Sequence, residues 1–484
     1  VAVNAVEYLL RRAKVEDLLR EYDVYQETPS GRIKVTTANL AKMIMKEYGY
    51  HFKTLVDKTT NKSEIVYYKK GYYHRGGEAI IRKLINELLE EKTNNIRKSE
   101  TLTFIKDDSI HYRDEFEPDL NFLCLKNGVY DIDNDKLLPH SPKYGFVNQL
   151  PVTYDKDKDC PKIKQFMKEI FPGKYKKYID VVQEMFGYTL FRKYHYPVAF
   201  ILYGRGRNGK STCVNLLKKL IGKDNYSTRE LHDLVSDRFA TADLYGKMAN
   251  ICTEISSRTI SDSARFKALT GDDDISGMYK YMGTFNFKNY AKLIFNANEI
   301  PKTNDTSYAF YQRWKIIIFS RTFPRGDSKT KIGLADIICT EDERSGLFNW
   351  AIQGLHRLRQ NGDFTKTDLY ADDELYELLS NPEVAFIEEY LVEDSDCTVS
   401  TEDVYKRYVK WAKEKSFPYM TKTLFSRRLI DILDTVKIKV EKRIGQTSRV
   451  YENLRWKDSY SPVDDFLNKL EQGELKDKRK GGEK

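Results

Sequence analysis

Apolar residues recur at helical spacing from Asn4 to Tyr22, where Val6, Leu9, Leu10, Val15, Leu18 and Leu19 share one face. The same period returns from Ile80 to Leu89. Between these helices, Ile65 to Tyr68 and Gly71 to His74 read as a short hairpin. A second hairpin is predicted at Leu123 to Ile132, two β-favouring runs joined by the Asn127-Gly128 pair that supplies a tight turn. Helices are expected from about Cys160 to Phe191. The apolar run Pro197 to Tyr203 then reads as a strand buried on both faces. Strand and helix patterns alternate to about Phe323, which is what a parallel sheet flanked by helices requires. Helical spacing resumes from Leu347 to Leu358.

These patterns divide the 484-residue chain into an N-terminal α+β accessory domain over 1–155 and an α/β domain over 156–362. A linker follows over 363–382, with its polar part from Asp363 to Asp372. A compact basic α/β segment spans 383–457, and 458–484 is a flexible basic tail of low complexity.

Composition sharpens this picture. Hydrophobic content of 40% suffices for folded cores, whereas 32% charged residues and a mean hydropathy of −0.61 point to a soluble protein. No apolar run reaches the roughly 18 residues of a membrane span, and no signal peptide is recognisable, so cytoplasmic localisation is expected. The first residue is Val1 and not Met, which leaves room for a longer polypeptide. Six scattered cysteines lack zinc-site spacing and read as buried free thiols. Residues 401–457 hold 15 Lys and Arg against 7 Asp and Glu, a surplus of 8 in a chain whose whole surplus is 9. Charge so concentrated points to a polyanionic partner, DNA or RNA first.

The chemistry centres on Gly204, Arg205, Gly206, Arg207, Asn208, Gly209, Lys210 and Ser211, a complete G-x-x-x-x-G-K-S phosphate-binding P-loop. A strand ends at Tyr203, and a helix with Val214, Leu217 and Ile221 on one face follows and stops at Gly222. Glycines allow backbone N–H groups to turn inward around phosphate oxygens, and the helix N-terminus adds positive potential. Lys210 is assigned to the β- and γ-phosphates of ATP and Ser211 to Mg²⁺, with Thr212 completing the nucleotide contacts. Lys247 to Glu254 reads as a strand ending in a carboxylate. Glu254 is the candidate to orient the attacking water and to help hold the metal. Position 253 is Thr, where many P-loop ATPases carry an Asp. Lys292 to Asn298 is a third strand, ending in amides, and Asn298 is placed to reach the γ-phosphate or lytic water. Arg313 precedes a further apolar strand and can serve either an acid in its own chain or a neighbour's ATP.

The order of these four motifs over about 110 residues resembles the superfamily 3 helicases, AAA+-type motors of small viruses and plasmids. More narrowly it resembles the phage/plasmid primase family and its poxvirus primase-helicase relatives. Further likeness lies in Phe266 to Asp272 and in Asp274 to Ser276, which leads into a hairpin around Tyr279, Lys280 and Tyr281. Upstream, Leu125 to Asp131, Leu138 to Pro142 and Leu150 to Tyr154 resemble the family's accessory domain. Downstream, Pro382 to Phe386, Tyr405 to Trp411 and Leu424-Phe425 resemble its winged-helix region. The resemblance implies a replicative DNA helicase acting as a ring, with a hexamer expected. In it Asn298 is the sensor and Arg313 a finger on the adjacent subunit's ATP; the Arg that precedes this finger in the family is Gln312 here. It also implies that Lys280, Tyr279 and Tyr281 grip single-stranded DNA in the channel, and that Arg427 and Arg428 on a helix over Lys422 to Leu433 engage duplex or forked DNA. A primase or polymerase domain or subunit is the expected partner, although the segment before the P-loop lacks a catalytic carboxylate set. The alternatives are a translocase that does not unwind and an initiator that uses ATP as a switch.

Overall fold

The computed structural model describes residues 2–457 except 28, 30, 32, 49–50, 57–62, 113–118, 205, 257, 261, 280–282, 304, 306, 325–331, 368–374, 377–378, 381, 415–418, 436–441 and 445–448. The N-terminal part begins with the helix Ala2–Glu21, the two-stranded sheet β1 (Tyr25–Glu27) and β2 (Ile33–Val35), and the helix Thr37–Glu47. Strands β3 (Phe52–Val56), β4 (Ser63–Lys69), β5 (Tyr72–His74) and β6 (Ile110–Tyr112) form a sheet of order β5-β4-β3-β6. Helices Gly77–Leu89 and Asn95–Asp108 lie between β5 and β6 in the chain, and their apolar stripes close a core of Leu40, Ile44, Ile81, Ile85 and Leu88. A meander of β7 (Phe122–Leu125), β8 (Gly128–Asp131) and β9 (Lys136–Leu138) follows, with Asn127-Gly128 at its first turn.

The centre of the molecule is a five-stranded sheet of order β11-β12-β15-β10-β16. Its members are β10 (Ala199–Tyr203), β11 (Tyr226–Ser227), β12 (Ala249–Cys252), β15 (Lys292–Ala297) and β16 (Trp314–Ile318), and every pairing is parallel. Burial on both faces explains why β10 reads as an unbroken apolar run and β16 as one interrupted only by the buried Lys315. Helices Tyr178–Leu190 and Glu341–Asn361 pack closely against one another at Gly187 and Gly354. A Cβ on Gly187 would stand 2.2 Å from the Ala351 carbonyl oxygen, and one on Gly354 would stand 2.4 Å from that of Gln183. Either substitution would force the two helices apart.

Between β12 and β15 the antiparallel pair β13 (Asp274–Met278) and β14 (Thr284–Lys288) forms a separate hairpin. It turns Ile275, Phe285 and Phe287 inward and leaves Thr284, Asn286 and Lys288 in solvent, the period-2 pattern of a half-buried ribbon.

The C-terminal part runs helix Pro382–Tyr390, β17 (Leu391–Ser400), helices Thr401–Glu414 and Lys422–Thr435, then β18 (Lys442–Ile444) and β19 (Arg449–Trp456). Its antiparallel sheet has the order β17-β19-β18. Phe386, Tyr408, Trp411 and Phe425 supply an aromatic core, with the rings of Tyr408 and Phe425 stacked at 4.1 Å.

The stretch read as a linker is anchored at both ends. Phe364 is buried against Tyr188, Tyr196 and Phe200, and Thr365 donates from its N and its Oγ1 to the buried carboxylate of Glu184, at 2.8 and 2.5 Å. Leu375, Tyr376 and Leu379 are buried as well. The Asp-rich composition of 363–372 hid these apolar anchors. All six cysteines are free, and five are buried. Among the described residues no helix is long and apolar enough to cross a membrane.

Candidate nucleotide and DNA sites

Parallel strands deliver their C-terminal ends to one edge of the sheet, and the loops there are the usual place for a ligand. Here β10 runs into Gly204, β12 into Thr253 and Glu254, and β15 into Asn298. The register sets Tyr203 against Ala297 and Cys252 against Phe295, so the three loops emerge side by side. They line a cavity of about 340 Å³ that takes in 206–212, Thr253, Glu254, Asn296 and Asn298, with Phe166 and Phe323 as apolar walls.

The 204–212 loop is shaped by local constraints. Gly204 has φ 151° and Gly209 φ 93°, a backbone region that L side chains rarely adopt. A Cβ on Gly204 would stand 2.5 Å from the Phe319 carbonyl oxygen, and one on Gly209 would stand 2.7 Å from Ile170 Cγ2. Asn208 is buried and donates through Nδ2 to that same Phe319 oxygen at 3.2 Å, while Phe323 N donates to the Arg207 carbonyl at 2.8 Å. The loop is thus stitched to the chain that leaves β16. Arg205 lies outside the described residues.

The helix Lys210–Ile221 starts at the floor of the cavity. Lys210 is only 7% exposed; its ammonium donates to the Gly204 carbonyl and, at 3.3 Å, to Asn298 Oδ1. Burial pulls its pKa down from 10.5 to about 8. A cation desolvated this far gains most from an anion brought into the cavity. Ser211 is exposed to the cavity and Thr212 partly so.

Glu254 is exposed, two residues beyond β12, and its loop is tied to the Asn298 strand by Ile255 N donating to the Asn296 carbonyl at 2.9 Å. Asn296 carries no assignment in the sequence reading. It is 4% exposed, lines the cavity, and its Oδ1 is buried without a partner among the described residues. Its signal was available, because positions 296 and 298 fall on the same face of a strand. Left-handed glycines, a desolvated lysine, an exposed Ser hydroxyl, a carboxylate and two amides converge on one cavity, a donor set of the kind that can hold Mg-ATP.

Arg313 is not brought to this cavity. It immediately precedes β16, whose first residue Trp314 pairs with Ala199 at the opposite end of β10 from Gly204. Its Nη1 donates to the Ala309 carbonyl at 2.5 Å, and its Nε is buried without a partner among the described residues. Burial lowers its pKa, opposed by the charge of Asp273.

Of the hairpin residues, Tyr279 is 37% exposed, with its ring stacked on Phe285 at 5.2 Å and its hydroxyl donating to the Ala242 carbonyl at 3.3 Å. Lys280 and Tyr281 lie outside the described residues. On the helix Lys422–Thr435 the two arginines part company. Arg427 is exposed, whereas Arg428 pairs at 2.8 Å with Glu383, a carboxylate buried in the first helix of the C-terminal part. The guanidinium of Arg428 thus links two helices of the C-terminal part while its side chain stays partly exposed.

Comparison with known proteins agrees with this architecture. The D5 N-terminal-like family matches residues 41–172, the poxvirus D5 protein-like family matches 380–462, and a family of unknown function, DUF5906, matches 202–313. Protein 121R of Invertebrate iridescent virus 3, named as a helicase, is 23% identical over 435 residues, covering 80% of this chain and 44% of that protein. Protein L207/L206 of Acanthamoeba polyphaga mimivirus, also named as a helicase, is 25% identical over 262 residues, covering 51% of this chain and 27% of that protein. The chain thus spans less than half the length of these relatives. Among solved structures, the C-terminal region of NrS-1 is similar at a TM-score of 0.44 and 14% identity, covering 87% of this chain and all of that one. D5-type family models thus match this chain on both sides of the central sheet, at 41–172 and at 380–462.

Proposed function

We propose that the chain is the ATP-driven motor of a replicative DNA helicase. The observation that carries this reading is the convergence of the 204–212 loop, Glu254 and Asn298 on one cavity at the C-terminal edge of a parallel sheet. The strand order supports an AAA+-type P-loop motor, because the β15 strand that bears Asn298 separates the loop strand β10 from the Glu254 strand β12. In this site the backbone of 206–212 cradles the phosphates, and Lys210 trades the Gly204 carbonyl for a γ-phosphate oxygen. The Ser211 hydroxyl and Glu254 would hold Mg²⁺, which would supply neutralisation of the charge on the phosphates. Glu254 aligns the water for in-line attack, and Asn298 holds the γ-phosphate end.

The transition state also needs a cation on the transferring phosphoryl group, and Arg313 sits at the wrong end of the sheet to serve its own nucleotide. Five residues of strand separate the two ends, about 17 Å. A neighbouring copy bringing its Arg313 to this cavity completes the site, which is the logic of a ring, proposed here as a hexamer. The β13–β14 hairpin, followed from β13 by Tyr279, faces the strand being pulled; stacking of bases on aromatic side chains is tolerant of sequence. The C-terminal order of helix, strand, two helices and two strands supports a winged helix, with Lys422–Thr435 as the helix offered to DNA and Arg427 as an exposed cation on it.

A forked-duplex strand-displacement assay with ATP tests the reading. Displacement that disappears in Lys210→Ala is expected. ATPase activity stimulated by single-stranded DNA but without displacement would reduce the protein to a translocase. Turnover retained in Lys210→Ala would remove the site assignment.

A further inference from the structure

Tyr376 is a fully buried side chain in the stretch that joins the central sheet to the C-terminal part, six residues before the helix Pro382–Tyr390. Its hydroxyl donates to the Pro301 carbonyl at 2.7 Å. Pro301 lies three residues after Asn298, in the loop that leaves the nucleotide cavity. The Tyr376 ring meets Phe310, Tyr311 and Trp314 at centroid distances of 5.7, 5.6 and 5.7 Å, and is stacked on the last of these at an interplanar angle of 30°. Those three residues flank Arg313. One side chain therefore touches the loop that faces the chain's own nucleotide and the segment that carries the arginine for a neighbour's, and it stands on the only covalent path between the sheet and the basic C-terminal part.

The loop it grips is stiff. Ile260 N donates to the Lys302 carbonyl at 2.9 Å, which ties the Glu254 loop to the Asn298 loop. The Lys267–Asp305 pair at 2.8 Å fixes the far end of the Asn298 loop to the helix that precedes the hairpin. A displacement of Asn298 on nucleotide binding cannot dissipate locally and reaches Pro301, where the hydroxyl of Tyr376 is the hydrogen-bonded exit toward the C-terminal part.

We infer that Tyr376 is a positioning residue that couples nucleotide state at Asn298 and Arg313 to DNA affinity in the C-terminal part. The inference rests on the motor reading given above. It concerns transmission and not chemistry, so Tyr376 itself touches neither ATP nor DNA. Tyr376→Phe deletes only the hydroxyl and keeps the packed ring, which makes it the informative variant.

The test measures affinity for a fluorescent, slowly hydrolysed ATP analogue with and without a single-stranded DNA oligomer, together with DNA affinity with and without the analogue. Linkage requires the two ratios to be equal. In the wild type each ligand is expected to change the other's affinity by about fivefold or more. In Tyr376→Phe both ratios should fall to near one, while each affinity alone stays within about twofold and thermal stability is little changed. Tyr376→Ala, which also empties the aromatic cluster, should in addition lose stability. Equal coupling in Tyr376→Phe and wild type overturns the inference, as does a wild type that binds both ligands without coupling. A wild type that does not bind the nucleotide at all overturns the motor reading and this inference with it.

Discussion

The two ends of the central sheet each bury a lysine, and their surroundings differ in a way that separates chemistry from architecture. At the C-terminal edge, Lys210 opens on a cavity and leans on one backbone carbonyl and the Asn298 amide, with its pKa pulled down to about 8. At the other end, Lys292 is wholly buried. It donates to the carbonyls of Phe191 and Tyr290, both at 2.7 Å, and lies over the rings of Tyr188 and Tyr194. Lys292 is enclosed, and burial holds its pKa well below the usual lysine range. Lys210 lines a cavity, which leaves space in front of its ammonium for an anion. Arg313 shares the Lys292 end of the sheet, away from the cavity. Under the proposed motor reading, the contrast makes the cavity half of a site whose other half arrives on a second copy.

The strongest way to break this comparison is to separate the halves. Arg313→Ala alone should retain nucleotide binding and lose about a thousandfold in turnover, the scale of an arginine finger. Glu254→Ala should fail comparably. Mixed in one preparation, the two variants place an intact cradle beside an intact arginine at some interfaces. Phosphate release should reappear there, with a maximum near equal proportions. No recovery at any ratio would mean that Arg313 serves its own chain.

Next in size is Lys210→Ala. Loss of a preorganised donor to the transferring phosphoryl group is expected to cost about two to three orders of magnitude in turnover. Nucleotide affinity should weaken with it. A variant that binds and turns over normally would leave the 340 Å³ cavity without its central cation.

Much of this arrangement was legible in the sequence, and the exceptions have physical causes. The glycine-rich loop, Glu254 and Asn298 follow apolar runs that the chain's patterning marks as strands, so all three were predicted at strand ends. The order of those strands was not legible, since parallel neighbours are chosen by helical crossovers and not by any local signal. Thr253 stands where an Asp is usual, and the adjacent strand presents Asn296, whose buried amide oxygen is unpartnered among the described residues. Its spacing of two from Asn298 was the one local sign that it shares a face with that residue. The ion pair of Arg428 was not legible, because its partner Glu383 lies 45 positions away in the chain. The anchors Phe364 and Tyr376 were masked by the acidic residues around them, and charge density there looked like a linker.

A smaller effect tests why the two lysines differ. Lys210 must be protonated to meet phosphate, and in the free protein burial releases that proton above about pH 8. Bound phosphate oxygens favour the charged form, so nucleotide binding above this pH must take up a proton. Affinity should therefore be flat below about pH 8 and weaken by about tenfold per pH unit above it, towards the ordinary lysine value of 10.5. In the nucleotide-free protein the same depression has the opposite consequence: the cost of the buried charge is full below about pH 8 and is relieved as the pH rises. Titration with an ATP analogue over roughly pH 7 to 9.5 measures the slope. A flat profile in the wild type would show that Lys210 keeps its proton in the free state.

The smallest effect on chemistry is expected at Lys292. Lys292→Met keeps the length of the side chain and removes the donor, which leaves the Phe191 and Tyr290 carbonyls buried without their present hydrogen bonds. Each orphaned acceptor costs about 1–3 kcal/mol, partly offset because a buried charge no longer has to be desolvated. A net loss of about 2 kcal/mol, read as a lower urea midpoint, is the expected outcome. Nucleotide affinity should stay within about twofold, because the strand carries its functional amides at its other end and β15 is held by β10 and β12 on both sides. The comparison fails if this variant keeps its stability and loses affinity, since Lys292 would then act on the cavity through the strand. If stability falls and affinity holds, one strand carries a structural cation at its start and reactive amides at its end, with no energetic traffic between them.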